Sequence, residues 1–135
     1  MALMTWNDQL SVNIKHLDSQ HMKLVELLNV FHEAMKVGKA KEVLGKTFSE
    51  LLDYTAYHFG TEEKLMTKHG YPAFPVHKRE HEALTKKATE LSQRFSQGDL
   101  AIGIDTMAFL KNWLYDHIMG SDKKYAPFLN GKGLY

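Results

Sequence analysis

The amino-acid sequence predicts an all-α protein, an antiparallel up-down-up-down four-helix bundle with an N-terminal arm and a C-terminal tail. Hydrophobic residues recur at helical spacing through almost the whole chain. Glycine and proline interrupt that spacing at three places, and the four segments between them are joined by short loops, as in antiparallel bundles. The 135 residues, 44% of them hydrophobic, match a single domain with one continuous core, which we expect over residues 1–135.

The first predicted helix spans residues 18–37 and follows an arm at residues 1–17. Asp18 or Ser19 suits the N-cap position, and Gly38 ends the segment. One face of this segment carries side chains at steps of three and four residues: His21, Leu24, Leu28, Phe31 and Met35. This spacing is the pattern of a helix that packs one face against a core.

The second and third predicted helices span residues 40–69 and 75–97. Gly70 and Pro72 end the second helix, because neither residue continues a helix well. Pro75 suits the first turn of the third helix, where its missing N–H leaves no hydrogen bond unmade.

The fourth predicted helix spans residues 99–120. Its apolar face comprises Leu100, Ile104, Met107, Leu110, Trp113, Leu114 and Ile118. Residues 121–135 are predicted to form an ordered tail, because the aromatic residues within it can dock onto the bundle.

The composition excludes several classes of function. Because it has no cysteine, the chain forms no disulfides, thiolate zinc sites or iron–sulfur sites and performs no thiol catalysis. A net charge of +1 without a long basic run offers no surface for nucleic acid or anionic lipid. The sequence shows neither a signal peptide nor a window close to 18 apolar residues. We therefore expect a cytoplasmic protein without a membrane span.

Histidines and carboxylates recur at a spacing that suits metal binding. His58 and Glu62 lie four residues apart, as do His77 and His81, so each pair projects from one face of its helix. Either pair alone is weak evidence in a chain with eight histidines. In an antiparallel bundle, however, the starts of the first and third helices and the ends of the second and fourth lie together. Seven side chains are therefore expected to converge there: His21, His58, Glu62, His77, His81, His117 and Asp122.

The type and number of these groups indicate two metal ions. Seven ligands exceed what one tetrahedral zinc ion accepts, whereas five nitrogens and two hard oxygens suit a pair of first-row ions bridged by both carboxylates. Such a pair would have one open coordination position. The five-residue step from His117 to Asp122 places the two side chains about 140° apart on an ideal helix, so we expect the helix to end or widen near Gly120.

This ordered set of ligands resembles that of the hemerythrin family, and in particular its free-standing single-domain bacterial members. The resemblance covers essentially the whole chain. It implies two iron ions, Fe2+ or Fe3+, with a bridging oxo or hydroxo group and reversible binding of O2. On this resemblance, one iron would be bound by His77, His81 and His117, and the other by His21 and His58. The two bridging carboxylates would be Glu62 and Asp122.

Apolar side chains next to these positions are expected to wall the open coordination position as an O2 pocket: Leu24, Phe59, Trp113, Leu114 and Ile118. Three other histidines are interpreted as non-ligands: His16, His32 and His69. Five charged residues near the ligands are expected on solvated helix faces: Glu63, Lys64, Lys78, Arg79 and Glu82.

Three functions remain open from the sequence. The first is reversible O2 binding for storage or for delivery to an oxygen-consuming enzyme, by a monomer that is not itself an enzyme. The second is a di-iron oxidase or peroxidase-like enzyme, and the third is an O2 or redox sensor. A ferritin-like iron store is disfavoured, because the chain has no Glu-x-x-His pair. The expected pocket wall contains no proton donor or base, which favours the carrier over the enzyme.

Overall fold

Four long helices and one short helix make up most of the protein in the computed structural model, which describes residues 3–39, 41–98 and 102–135. The long helices are α1 (Lys15–Lys36), α2 (Lys41–His69), α3 (Phe74–Ser96) and α4 (Ile102–His117). A π-helical turn at Ile118–Asp122, here called the π turn, connects α4 to α5 (Lys123–Gly131). The arm contains one 3-10 turn at Asp8–Leu10.

The predicted four-helix bundle is confirmed. Each long helix packs against the next along the chain, and α1 also packs against α4, so the four helices form a closed ring of antiparallel neighbours. Within the described part of the chain, no helix combines the length and the apolar character that crossing a membrane requires.

The start of α1 differs from the prediction. The helix begins at Lys15, and Ile14 precedes it without a side-chain cap. Asp18 lies inside the first turn and accepts hydrogen bonds from the N–H of Val12 (2.8 Å) and the hydroxyl of Ser11 (2.6 Å). Asp18 therefore holds the arm against α1 instead of capping the helix, which begins one turn earlier than expected.

The turn after α2 orients the next helix. Gly70 has a φ of 70°, a left-handed conformation that glycine adopts without strain. The N–H of Tyr71 donates to the carbonyl of Met66 (2.9 Å), and the N–H of Gly70 donates to the carbonyl of Thr67 (3.2 Å). This pair of hydrogen bonds is the Schellman pattern of a helix end. This tight end brings the start of α3 beside the end of α2.

Two apolar clusters fill the bundle. The larger cluster includes three aromatic rings in mutual contact, those of Phe31, Phe48 and Phe95. The smaller cluster lies at the other end and joins the arm, α1, α2 and α5 through Val12, Ile14, Leu17, Met66, Tyr125, Ala126 and Leu129. Along α1 and α2, the predicted ligands fall between residues of the two clusters, so apolar packing surrounds them from above and below.

The C-terminal region is more regular than predicted. Part of the expected tail at residues 121–135 is helical, as α5. The predicted start of the fourth helix at residue 99, and Leu100 on its apolar face, lie outside the described residues.

Candidate metal centre

Seven buried side chains meet at one end of the bundle, and all four long helices and the π turn contribute to them. Their ligand-type atoms form two groups, in each of which the atoms lie within 4.8 Å of one another. Both groups contain the carboxylates of Glu62 and Asp122. One group adds three histidines, His77, His81 and His117, and the other adds two, His21 and His58. Each of these side chains belongs to a residue that is at most 4% exposed. We call them the three-histidine group and the two-histidine group.

Asp122 turns one oxygen toward each group. Its Oδ2 lies 3.0 Å from Nε2 of His21, in the two-histidine group. Its Oδ1 lies 3.1 Å from Nε2 of His77 and 3.1 Å from Nε2 of His117, in the three-histidine group. This is the orientation of a carboxylate that bridges two neighbouring positions.

Glu62 has the same two-sided arrangement. Its Oε2 lies 3.2 Å from Nε2 of His58 and 3.3 Å from Nε2 of His21. Its Oε1 lies 3.2 Å from Nε2 of His81 and 3.6 Å from Nε2 of His77. Every histidine of the cluster thus directs its Nε2 atom inward, toward a shared carboxylate.

Several of these inward atoms make no hydrogen bond although they are buried: Oε1 of Glu62, Nε2 of His77, and Oδ1 and Oδ2 of Asp122. Buried polar atoms without partners are rare and costly in native proteins. Positive ions between the two carboxylates would satisfy them, and imidazole nitrogens with carboxylate oxygens suit first-row metal ions. The donor set is therefore compatible with a metal centre.

Without metal, the cluster balances its own charge by taking up protons. Burial lowers the pKa of His21 and His77, but the carboxylates of Asp122 and Glu62 outweigh burial and raise these pKa values to about 10 and about 9. Burial raises the pKa of both carboxyl groups, but the surrounding imidazoles hold each pKa well below its usual range. Metal ions would have to displace the imidazole protons.

The π turn brings Asp122 into the cluster. In a regular α-helix, the five-residue step from His117 would rotate Asp122 about 140° around the axis. The wider π turn at Ile118–Asp122 reduces that rotation, so both side chains face the same centre. The prediction that the helix widens near Gly120 is confirmed.

Side chains outside the cluster hold the Nδ1 atoms of two histidines. The amide oxygen of Gln20 lies 2.7 Å from Nδ1 of His58, and the carboxylate of Glu63 lies 3.0 Å from Nδ1 of His81. The expectation that Glu63 lies on a solvated face is wrong, because its side chain is 26% exposed and folds over His81. Spacing along α2 could not reveal this contact, which crosses to α3.

Tyr125 on α5 is, like Gln20, a buried residue of the site that the sequence did not predict. Its hydroxyl donates to Oε2 of Glu62 at 2.5 Å, and its ring lies 5.6 Å from that of His77. Burial and the charges of Glu62 and Asp122 raise the pKa of the phenol well above its usual value, so it keeps its proton. The available signal was its position one helical turn after Asp122.

An apolar cavity of about 30 Å³ lies beside the cluster. Four of the five residues predicted for the pocket line it: Leu24, Phe59, Trp113 and Leu114. The fifth, Ile118, is fully buried in the larger apolar cluster but does not line the cavity. The other lining residues are Leu28, Leu51, Thr55, Leu84 and Leu110.

Two rings of the cavity wall stack directly on histidines. The ring of Phe59 lies 3.8 Å from that of His81 at an angle of 4°, and the ring of Trp113 lies 4.3 Å from that of His117 at 15°. These contacts fix the orientation of both imidazoles from the cavity side. The three histidines interpreted as non-ligands belong to neither group: His16, His32 and His69.

The fold and the site define a four-helix-bundle protein with a His/Glu/Asp metal-binding cluster. The model of the family described as "Hemerythrin HHE cation binding domain" matches residues 12–129. The chain therefore belongs to the hemerythrin family.

Individual relatives agree with this assignment. The chain is 40% identical over 127 residues to the bacteriohemerythrin of Stenotrophomonas maltophilia, a match that covers 93% of this chain and 81% of the relative. It is 37% identical over 131 residues to the bacteriohemerythrin of Methylococcus capsulatus, covering 96% and 99% of the two chains. The fold matches a crystal structure of wild-type hemerythrin with a TM-score of 0.89 at 36% identity, over 95% of this chain and 98% of that one.

Proposed function

We propose that the protein binds O2 reversibly at a centre of two iron ions and acts as an oxygen store or carrier. The observation that supports this proposal most directly is the two-sided arrangement of Glu62 and Asp122, each of which turns one oxygen toward the three-histidine group and the other toward the two-histidine group. Membership of the hemerythrin family supports the choice of iron and of O2.

The ligand assignment follows the two groups. His77, His81 and His117 would hold one iron, and His21 and His58 would hold the other. Glu62 and Asp122 would be shared by both ions, together with an oxo or hydroxo group. Iron bound here would supply the reversible electron transfer that binding of O2 requires. The two-histidine group offers one nitrogen ligand fewer, so its iron would have room for O2.

The residues of the cavity keep water and protons away from that position. Eight of its nine lining side chains are apolar or aromatic. The ninth belongs to Thr55, whose hydroxyl donates to the carbonyl of Leu51 at 2.7 Å. A wall without an acidic or basic side chain favours the return of unchanged O2 over its further reduction.

One observation favours a di-iron oxidase or peroxidase-like enzyme as a second candidate. The phenol of Tyr125 contacts the bridging carboxylate Glu62 and is a proton donor within the site, although it does not line the cavity. Rapid consumption of a reductant in air, with release of peroxide or an oxidised product, would favour the enzyme.

Several features of this proposal rest on the sequence alone. We regard residues 1–135 as one hemerythrin-like domain. Delivery of oxygen to an oxygen-consuming enzyme, the monomeric state and the cytoplasmic location stay predictions.

The visible spectrum of the reduced protein, recorded without and with air, tests the proposal. We expect two irons per chain, a new absorption band in air, and loss of that band when O2 is removed. One metal ion per chain, or zinc in every preparation, would contradict the proposal.

A further inference from the structure

The contacts behind the histidines differ in charge between the two groups. In the three-histidine group, Nδ1 of His81 meets the carboxylate of Glu63 at 3.0 Å. In the two-histidine group, Nδ1 of His58 meets the neutral amide oxygen of Gln20 at 2.7 Å. Both partners accept a hydrogen bond from Nδ1–H, so both imidazoles keep the Nε2 lone pair free for a metal ion. Only the partner of His81 carries a negative charge.

A second carboxylate adds to this asymmetry. Glu80 lies 3.6 Å from Nδ1 of His117, which also belongs to the three-histidine group, and the hydroxyl of Ser121 holds Glu80 in place at 2.7 Å. The 3.6 Å distance between Glu80 and His117 is too long for a hydrogen bond, but it is short enough for the charge of Glu80 to act on the imidazole. On the other side, Nδ1 of His21 is buried without a hydrogen-bond partner.

The amide of Gln20 is itself fixed in orientation. Its nitrogen lies 3.3 Å from the hydroxyl of Thr61 and 3.4 Å from Nε2 of His16, which leaves its oxygen toward His58. His58 of the two-histidine group is therefore held by a neutral amide, whereas His81 of the three-histidine group is held by a carboxylate.

We infer that Glu63 is a positioning residue that makes the metal ion of the three-histidine group the more easily oxidised of the two. An imidazole whose Nδ1–H donates to a carboxylate is a more basic ligand than one whose Nδ1–H donates to an amide. A more basic ligand stabilises Fe3+ over Fe2+, because the higher charge gains more from electron donation. This inference deepens the proposed function and rests on it for the presence of the two irons.

Two isosteric substitutions test the inference from opposite directions. Glu63→Gln removes the charge behind His81 and keeps an acceptor oxygen, whereas Gln20→Glu places a charge behind His58. In a mediated spectroelectrochemical titration of the iron-loaded protein, we expect Glu63→Gln to raise the potential of the iron that is oxidised first. We expect Gln20→Glu to lower the potential of the other iron. Each shift should change the ratio of oxidised to reduced iron at least tenfold, about 59 mV for a one-electron step.

The matched control is Glu82→Gln. Glu82 is exposed in the same surface groove as Glu63 and carries the same charge. The inference is overturned if Glu63→Gln shifts the potentials no further than Glu82→Gln, or if Gln20→Glu raises them.

A second measurement needs no iron. In the protein loaded with redox-silent zinc, we expect the Nδ1 proton of His81 to resonate at low field, because its hydrogen bond is charge-assisted. Glu63→Gln should move that resonance upfield, and an unchanged resonance would overturn the inference. If the potentials shift as expected but the protein does not bind O2 reversibly, only the proposed oxygen-carrier function is contradicted. If the protein binds O2 reversibly but the potentials do not shift, only the role of Glu63 is contradicted.

Discussion

The hydroxyl of Tyr125 donates a 2.5 Å hydrogen bond to Glu62, a residue 63 positions earlier in the chain. Both groups are buried, and the oxygen that accepts this bond is the one that faces His21 and His58. The contact ties α5 to the centre of the bundle. The C-terminal helix is thus part of the structure that supports the metal-binding carboxylates.

Removal of that hydroxyl should destabilise the metal-free protein. We expect Tyr125→Phe to lower the free energy of unfolding by about 1.5–3 kcal/mol, the range for a hydrogen bond to a charged group. Urea unfolding of the metal-free protein measures the change. Tyr135→Phe is the control, because Tyr135 is 74% exposed, and an equal effect of both substitutions would contradict the role of the hydrogen bond.

Loss of a bridging carboxylate should remove metal. We expect Asp122→Asn to bind one iron or fewer per chain, because the amide carries no charge and donates protons from its nitrogen. Iron analysis after reconstitution measures this. Asp116→Asn is the matched control, since Asp116 is exposed and lies beside His117 on the same helix, and it should retain two irons. Equal iron content in the two variants would show that Asp122 is not a ligand.

The stability of the metal-free protein should depend on pH in two directions. In the folded protein without metal, the pKa values of His21 and His77 are raised from 6.5 to about 10 and about 9. The stability that these two histidines contribute is therefore complete below pH 6.5 and is lost as the pH rises through 9 to 10. The pKa values of Glu62 and Asp122 are lowered from 4.5 and 3.8, so their contribution is present above those values and lost as the pH falls below them.

We therefore expect the free energy of unfolding of the metal-free protein to be largest between about pH 5 and pH 6.5. Urea unfolding across pH 4 to 10 measures this dependence. The iron-loaded protein should not share the loss between pH 6.5 and pH 10, because the metal ions have already displaced those protons. A loss of the same size in both forms would contradict this assignment of protons.

A change in the cavity wall should shorten the lifetime of the oxygenated protein without changing its iron content. Leu114 lines the cavity and is not among the ligand-type residues. We expect Leu114→Ala to admit water and to speed the conversion of the oxygenated protein to the ferric form, followed by its visible spectrum. The substitution also costs about 2–5 kcal/mol of stability, so the decay must be followed well below the unfolding temperature.

Leu44→Ala is the matched control for this experiment. Leu44 is a buried leucine on α2, and it lies 14 residues, or about 20 Å along the axis, from His58. It should lose stability without losing oxygen faster. Equal oxygen retention by the two variants would contradict the shielding role of the cavity wall.

The sequence predicts the bundle and brings the seven ligand-type residues to one end of it, because helical spacing and chain direction are local properties. It does not predict the role of Asp18, since the contacts with Ser11 and Val12 depend on how the arm folds back. It also misses α5, in which Pro127 weakens the helical signal while packing of Tyr125 and Leu129 in the smaller cluster stabilises the helix.

The hydrogen-bond partners of the histidines could not be predicted from the sequence for a similar reason. Glu63 and His81 belong to different helices, and their contact depends on the rotation of each helix about its own axis. A spacing rule within one helix carries no information on that rotation. The same holds for Tyr125, whose partner Glu62 lies on α2.

The π turn makes this end of the protein sensitive to chain length as well as to side-chain identity. Insertion of one residue between His117 and Asp122 would rotate everything that follows by about 100°. Asp122 and Tyr125 would then leave the bundle axis together, although neither had been replaced. The number of residues between His117 and Asp122 thus fixes the direction in which Asp122 points, a property that substitutions leave intact and a one-residue insertion destroys.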